Sequence, residues 1–485
     1  MVHAILGGGI TGLSAAYYLS KSSEYGIKLY ESSHRLGGWI KTTKTNNGSI
    51  FEQGPRTLRC RGAAAENTLH LIKELGLDSL VRPILSSSKA AKNRMIWLDN
   101  QLVKLPNSWT ALFKINPPFI KPFIYAIMND LVTAKKVVED ESIYDFVARR
   151  FGKQYAEIPV SAMVCGIFAG DAKEISVKAL MRDIFEMEQK YGNVLAGFLH
   201  SVKNKVINGR ILKSVGNQKK DLTESLASKK WSLWSFENGL ETLPIELENF
   251  LRQQSNVEIN LDSKCMNIEF KKGEVILSFD GRTESTEHLY SSLPSKDLAK
   301  ILDNKFLFLK EELSSIPFVS VATVNLEYDG ELIDNEGFGF LVPPNQNIPI
   351  LGVIFDSCIL PQNGRTILTV MLGGKWFDQH FGSNAENEKL LEIAQDHIKK
   401  ILNIDKKPAN FLVSVMTNCI PQYIVGHSER VKRIRTYIAD QKLPLTLMGN
   451  SFDGIGVNDA IYSAKMNVMS ALSARGFERV AEHLR

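Results

Sequence analysis

At 485 residues, 44% hydrophobic and 23% charged, the chain is globular and too long for one simple core, which excludes a disordered or low-complexity protein and points to two or three domains. Its 58 basic and 53 acidic residues leave a formal net charge of +5, far below the density of a nucleic-acid binder, so no nucleic-acid partner is expected. Five cysteines, odd in number and never in a CxxC pair, exclude a disulfide framework and signal no zinc site.

The apolar run Val2 to Leu6, the glycine cluster Gly7 to Gly12, and Leu13, Ala16, Tyr17 and Leu19 at helical spacing predict strand, turn and helix, with a second strand over Ile27 to Glu31. With this βαβ unit starting at the first residues, no separate cleaved leader is expected unless processing removed it earlier. Strands around Ile40 and over Ile50 to Glu52 flank the hairpin signal Asn46-Asn47-Gly48. A helix follows over Ala64 to Leu75, then a hairpin whose strands Met95 to Leu98 and Leu102 to Leu105 flank Asp99-Asn100-Gln101. From Trp109 to about Val202 the chain changes character and reads as an inserted helical domain. Trp109, Phe113, Phe119, Phe123 and Tyr125 there interleave with Lys114 and Lys121, a pattern that suits an interfacial anchor or a buried helical subdomain. Short β-like runs return at Val257 to Asn260, Val275 to Phe279, Val319 to Leu326, Ile350 to Phe355 and Thr366 to Leu372. Helices over His427 to Asp440 and Asn458 to Ala474 flank the apolar Leu445 to Met448. Three uncharged windows, Met1 to Ser20, Gly337 to Phe355 and Pro408 to Ser428, approach membrane-span length, but Gly, Pro or Asn interrupts each, so membrane association is expected to be monotopic.

Gly7, Gly9 and Gly12 satisfy Gly-x-Gly-x-x-Gly between strand and helix, and Glu31 ends the next strand. The glycines allow the tight turn, the close approach of a pyrophosphate and the packing of helix on strand, while free amides at the helix start attract the anion. Glu31 is placed to accept from ribose hydroxyls, so a dinucleotide is expected. A second glycine turn, Arg35-Leu36-Gly37-Gly38-Trp39, and then Phe51-Glu52-Gln53-Gly54-Pro55-Arg56 favour FAD over NAD, since such a pair resembles flavin amine oxidases and carotenoid desaturases. Arg35 fits either a phosphate contact or surface packing. Near the other end, Gly449-Asn450 and Gly454 to Ala460 repeat strand, glycine turn and helix start. The amides of that helix start suit negative charge on a reduced flavin, and a simply capped helix is the alternative. Nine dispersed histidines form no triad or metal spacing, so no catalytic base is assigned and no metal is expected.

The segments LGGGITGLSAAYYL, ESSHRLGGWI, FEQGPRTLR, NRMIWL, CGIFAGD, WSLWSFENGLETLP, GFGFLVP, VMLGGKW, NCIPQY and GNSFDGIGVNDAI, in this order along nearly the whole chain, resemble the animal-type protoporphyrinogen oxidases of the flavin amine oxidase superfamily. The resemblance implies an α/β protein. A discontinuous Rossmann-like FAD-binding domain would use residues 1–90, 240–300 and 426–485, a mixed-sheet substrate domain 91–108, 206–239 and 301–425, and a helical membrane-binding domain 109–205. It implies oxidation of protoporphyrinogen IX by noncovalent FAD, with dioxygen as terminal acceptor. FAD contacts fall on Gly7, Gly8, Gly9, Ile10, Thr11, Gly12, Glu31, Ser32, Trp39, Gly54, Pro55, Arg56, Thr57, Cys265, Asn450, Ile455, Gly456 and Val457. Substrate contacts fall on Arg94 for a propionate, Gly166 by its backbone, and Phe338, Leu341, Ile354 and Met371 as an apolar sandwich. The resemblance also implies a membrane surface at the outer face of the mitochondrial inner membrane, and leaves room for a homodimer and for ferrochelatase as a protein partner. Two other readings stay open: another flavin amine oxidase or desaturase, and a catalytically idle FAD-binding scaffold.

Overall fold

The computed structural model describes residues 2–21, 25–107, 110, 113–203, 230–362, 364–382 and 385–474; Trp109 lies outside the described residues. The chain forms two compact units, one from Met1–Ile84, Trp231–Pro317 and Glu429–Arg485, the other from Leu85–Lys230 and Phe318–Ser428.

The first unit is built on a wholly parallel sheet ordered Val257–Asn260, Gly26–Tyr30, Val2–Leu6, His288–Ser291, Leu445–Leu447. A parallel sheet requires cover on both faces. Ala4, Ile5, Leu6, Ile27, Leu29, Leu289 and Tyr290 are accordingly buried, and helix Ile10–Ser20 packs against both Val457–Ala474 and Thr242–Arg252. Strand Val2–Leu6 has its successor in sequence on one side and His288–Ser291 on the other, so the strand order reverses beside it. Ligands of open α/β sheets seat at such a reversal, beyond the carboxyl ends of the strands. Gly7, Glu31, Ser292 and Met448 all lie at those ends.

Two local expectations shift. No strand forms around Ile40; its carbonyl turns back to accept from Arg35, and the hairpin pairs Thr42–Lys44 with Ile50–Glu52. The first βαβ strand pair matches the reading to one residue, whereas His288–Ser291 was not anticipated because all four of its residues are buried and show no alternation.

The second unit holds a seven-stranded mixed sheet ordered Asn410–Pro421, Phe318–Asp329, Arg365–Gly374, Ile350–Phe355, Gly339–Leu341, Met95–Leu98, Gln101–Lys104. The last two strands turn through Asp99 and Asn100, both at positive φ (48° and 58°), one residue tighter than expected. Register divides the faces. Phe340, Val353, Val370 and Val324 pair in one row and pack with Leu390, Ala394 and Ile398 of helix Asn387–Leu402. Residues one position along the strands face the other way, so Leu341, Gly352 and Met371 share the opposite face with Ile354. Helix Ser161–Phe168 lies against that face, with Ala162 packed among Ile96, Leu98 and Leu341.

Ahead of that helix the chain is pinned by buried charge. Arg150 and Glu188 are both fully buried and paired, and Arg150 also donates to the carbonyls of Thr133 and Gly192 at 2.8 Å each. Arg149 donates to both Glu188 oxygens at 2.6 and 3.0 Å. Removing one member of such a cluster strands its partners without solvent. Glu188→Ala is expected to cost about 3–5 kcal/mol, read as a lower apparent midpoint of thermal unfolding; an unchanged midpoint would contradict this role.

Candidate active site

Strand Val2–Leu6 ends in a turn at which Gly7 takes φ 100°, and helix Ile10–Ser20 starts at once. A Cβ on Gly12 would lie 1.8 Å from the Gly7 carbonyl oxygen, so the helix can approach the turn only if residue 12 has no side chain. Gly9 differs: a Cβ there would meet nothing nearer than the Gly38 Cα at 3.9 Å. The protein's own packing therefore leaves space in front of Gly9. The helix has no side-chain cap, and its first internal bond runs from Leu13 N to Gly9 O at 3.0 Å, so the amides of Ile10, Thr11 and Gly12 have no partner within the helix. Space plus unpaired amides at a helix start is an anion site.

Glu31 is fixed beside it. Its Oε2 accepts from Gly8 N at 2.7 Å, and its Oε1 accepts from Ser33 N and Ser33 Oγ at 2.9 Å each and from Ser32 Oγ at 3.2 Å. A carboxylate oxygen accepts more than one bond, so Oε2 keeps capacity for a ribose hydroxyl. Ser33, absent from the sequence assignment, does more to orient this carboxylate than the assigned Ser32.

The second glycine turn closes over the first through Gly37 N, which donates to Gly8 O at 2.9 Å. Arg35 does not reach outward for a phosphate. Its guanidinium holds the carbonyls of Leu36, Gly38 and Ile40 and pairs with Glu241. The other Glu241 oxygen accepts from Thr42 N at 2.9 Å, and buried Glu52 accepts from Leu240 N at 2.6 Å, so the FENGLE segment ties together the loops on either side of the hairpin. Gly54, Pro55, Arg56 and Thr57 connect Ile50–Glu52 to Leu58–Arg59. A Cβ on Gly54 would lie 2.3 Å from the Trp39 carbonyl oxygen, while the carbonyl of buried Arg56 accepts from Ser235 Oγ at 2.6 Å. Trp39 itself is 41% exposed. Cys265 is buried, and desolvation pushes its thiol up to about 11, so it stays protonated at neutral pH.

A second helix start completes this unit. The GNSFDG loop is anchored by Gly449 N, which donates to Ser463 Oγ at 2.9 Å, and Asn450 follows. Ile455 and Gly456 lead into helix Val457–Ala474, whose first internal bond is Ala460 N to Gly456 O at 2.9 Å, leaving the amides of Val457, Asn458 and Asp459 unpaired inside the helix. Arg59 reaches Asp459 at 3.2 Å; burial raises the Asp459 pKa while Arg59 and the Gly456 amide oppose it. Asn458 donates to the Arg59 carbonyl at 3.0 Å, and its Oδ1 is buried with no hydrogen-bond partner among the described residues. An orphaned buried acceptor beside unpaired amides and the open space before Gly9 fit a bound dinucleotide.

In the second unit, Leu341, Ile354 and Met371 share one sheet face and are half-buried. A Cβ on Gly166 would lie 2.3 Å from Leu341 Cδ2, so that glycine sets how closely its helix meets the face. Gly352, which the sequence reading did not assign, lies between Leu341 and Met371 in the same row; a Cβ there would lie 2.5 Å from the Phe340 carbonyl oxygen and 3.1 Å from Leu341 Cδ2, so only glycine lets Leu341 lie across it. Phe338 precedes the strand, and the Arg94 guanidinium stacks 4.5 Å over its ring. Arg94 makes no ion pair among the described residues. Arg94 is exposed as a residue, and partial desolvation of its guanidinium lowers its pKa. The arrangement is an apolar face with an uncommitted cation at its border.

Residues 10–469 match the flavin containing amine oxidoreductase family. The chain is 36% identical over 468 residues to protoporphyrinogen oxidase of Bos taurus, covering 95% of this chain and 96% of the relative. With protoporphyrinogen oxidase of Homo sapiens it is 34% identical over 475 residues, covering 96% and 98%. A solved structure of a proposed protoporphyrinogen oxidase from Exiguobacterium sp. 255-15 superposes with a TM-score of 0.77 at 23% identity, over 97% of this chain and 99% of that one. The chain belongs to the flavin containing amine oxidoreductases, and within them to the protoporphyrinogen oxidases, a family of flavin-dependent oxidoreductases.

Proposed function

We propose that the protein oxidises protoporphyrinogen IX to protoporphyrin IX with noncovalent FAD, in successive two-electron steps, at a membrane surface. What carries this reading is the free Arg94 guanidinium stacked on Phe338 beside a half-buried apolar face, in a chain that matches animal protoporphyrinogen oxidases almost end to end. FAD, held by the Gly7–Gly12 turn, Glu31 and the helix start at Val457, would supply a hydride acceptor that dioxygen reoxidises, giving hydrogen peroxide.

The chain's own residues bind and orient. The amides of Ile10, Thr11 and Gly12 and the Glu31 carboxylate suit a pyrophosphate and a ribose, and the helix start at Val457 suits a site of developing negative charge. Leu341, Ile354 and Met371 give a macrocycle an apolar surface that excludes water, and Arg94 matches a propionate with a two-pronged donor. Hydride loss from a meso carbon is favoured by the flanking pyrroles, and the accompanying pyrrole proton passes to solvent or to a backbone carbonyl, so no side-chain base is required. The protein's contribution is alignment.

Membrane attachment rests on outward apolar side chains. On helix Ile124–Val132, Ala126 and Asp130 are buried while Tyr125, Met128, Leu131 and Val132 are exposed, the reverse of a water-facing helix. Phe113 and Ile120 are 68% and 75% exposed in the same stretch. Phe119 is not part of this surface: it is buried and stacked on Tyr155 at 4.8 Å, with Phe123 edge-on to the same ring at 5.2 Å. No described helix is long and apolar enough to cross a membrane. The outer face of the mitochondrial inner membrane is the proposed location.

Gly9→Ala should fold normally and lose FAD at least about tenfold more readily, about 1.4 kcal/mol, measured as flavin absorbance per protein after gel filtration. Gly12→Ala should fail to give folded protein. Equal flavin retention in Gly9→Ala would place the pyrophosphate elsewhere.

Arg94→Ala should lower kcat/KM for protoporphyrinogen IX by roughly 10- to 100-fold, the worth of a charge-assisted hydrogen bond, chiefly through KM. Porphyrin fluorescence with coupled peroxide detection reads this. Unaltered kinetics would remove Arg94 from the substrate site.

Ile120→Ser with Val132→Ser should weaken sedimentation with liposomes by at least about tenfold, since each apolar side chain contributes roughly 1.5–3 kcal/mol when fully buried, and FAD content should stay constant. Undiminished sedimentation would count against this anchoring surface.

A further inference from the structure

We infer that the first unit carries a second binding site, for an organic phosphate with a flat heterocyclic body, at the edge of the parallel sheet opposite the glycine turns. A cleft of about 780 Å³ opens there, lined by Phe270, Lys271, Lys272, Glu287, Phe306 and Lys442 among others. That volume falls within the range of small-molecule sites. Its placement follows from the topology. Glu287 and Pro444 line the cleft and immediately precede strands His288–Ser291 and Leu445–Leu447, whereas Gly7, Ser292 and Met448 follow their strands. The cleft is therefore at the amino edge of the sheet and shares no residue with the dinucleotide cradle.

Its chemistry points to an anion. Three lysines, Lys271, Lys272 and Lys442, and one carboxylate, Glu287, line it. Lys271 has Glu269 at 3.5 Å, but Lys272 and Lys442 make no ion pair among the described residues. Lys272 with Gly273, φ 85°, turns the chain between strands Asn267–Lys271 and Glu274–Phe279, and Lys442 adopts φ 51° just beyond helix His427–Asp440. Ammonium groups act as point charges and suit a phosphate approached from several sides, whereas planar carboxylate recognition favours arginine. Phe270 and Phe306, 8% and 7% exposed, also line it and meet edge to face at 5.4 Å and 85°, with Leu443 and Pro444 completing the lining. An aromatic lining beside lysines fits a heterocycle carrying a phosphate, a nucleotide being the class that supplies both.

The test is calorimetric titration of the flavin-loaded protein with ADP and, separately, with inorganic phosphate. Bound FAD occupies the cradle at Gly9, so ADP reports only the second cleft, and a constant flavin absorbance verifies that no exchange has occurred. ADP should bind with a dissociation constant below about 1 mM, inorganic phosphate at least tenfold more weakly, and Lys272→Glu with Lys442→Glu should weaken ADP at least tenfold while FAD content and melting stay unchanged. Absence of ADP binding would overturn the site, binding untouched by the two reversals would overturn its location, and equal affinity for inorganic phosphate would overturn the aromatic half of the assignment.

Discussion

The first unit of this protein depends on one steric contact. Helix Ile10–Ser20 follows the first strand so closely that any side chain at residue 12 would overlap the Gly7 carbonyl. Accepting glycine there draws the helix onto the sheet and aims its unpaired amides at the point where the strand order reverses. The remaining loops are arranged around that point: Glu31 is fixed by the Gly8 amide, Gly37 bonds back to Gly8, and Arg35 and Glu241 hold the second glycine turn in place. Much of the charge in these motifs thus serves loop geometry, and the proposed dinucleotide would be met chiefly by backbone.

The second unit applies a different rule. Its sheet is two-faced, and register alone sends Phe340, Val353 and Val370 into the core while Leu341, Ile354 and Met371 face the other way. Two glycines tune that second face, Gly166 by setting the approach of a helix and Gly352 by omitting a side chain in the middle of a row. Arg94 stands beside it, exposed and stacked on Phe338, with no acidic partner among the described residues, and so is open to an anionic group.

How much of this was legible in the sequence follows from how local each signal is. The first βαβ unit, the helix His427–Asp440 and the strand before the last helix were readable because apolar periodicity and glycine position suffice to define them. Strand His288–Ser291 was not, since complete burial removes alternation, and strand Asn410–Pro421 was noticed only as an uncharged window. The glycine motif carried the cofactor site, but the clamp role of Arg35, the pairing of Glu52 and Glu241 with backbone, and the orphaned Asn458 oxygen are contacts across tens to hundreds of residues. Phe119 shows the same limit, because composition cannot distinguish an outward phenylalanine from one stacked on Tyr155.

In the proposed reaction a porphyrinogen delivers its electrons to a flavin held by the Gly7–Gly12 turn. Anaerobic mixing of the FAD-loaded protein with protoporphyrinogen IX, followed at the flavin absorbance, tests it most directly. The account predicts bleaching of the oxidised flavin band together with the appearance of porphyrin absorbance. An unchanged flavin spectrum with FAD still bound would contradict it.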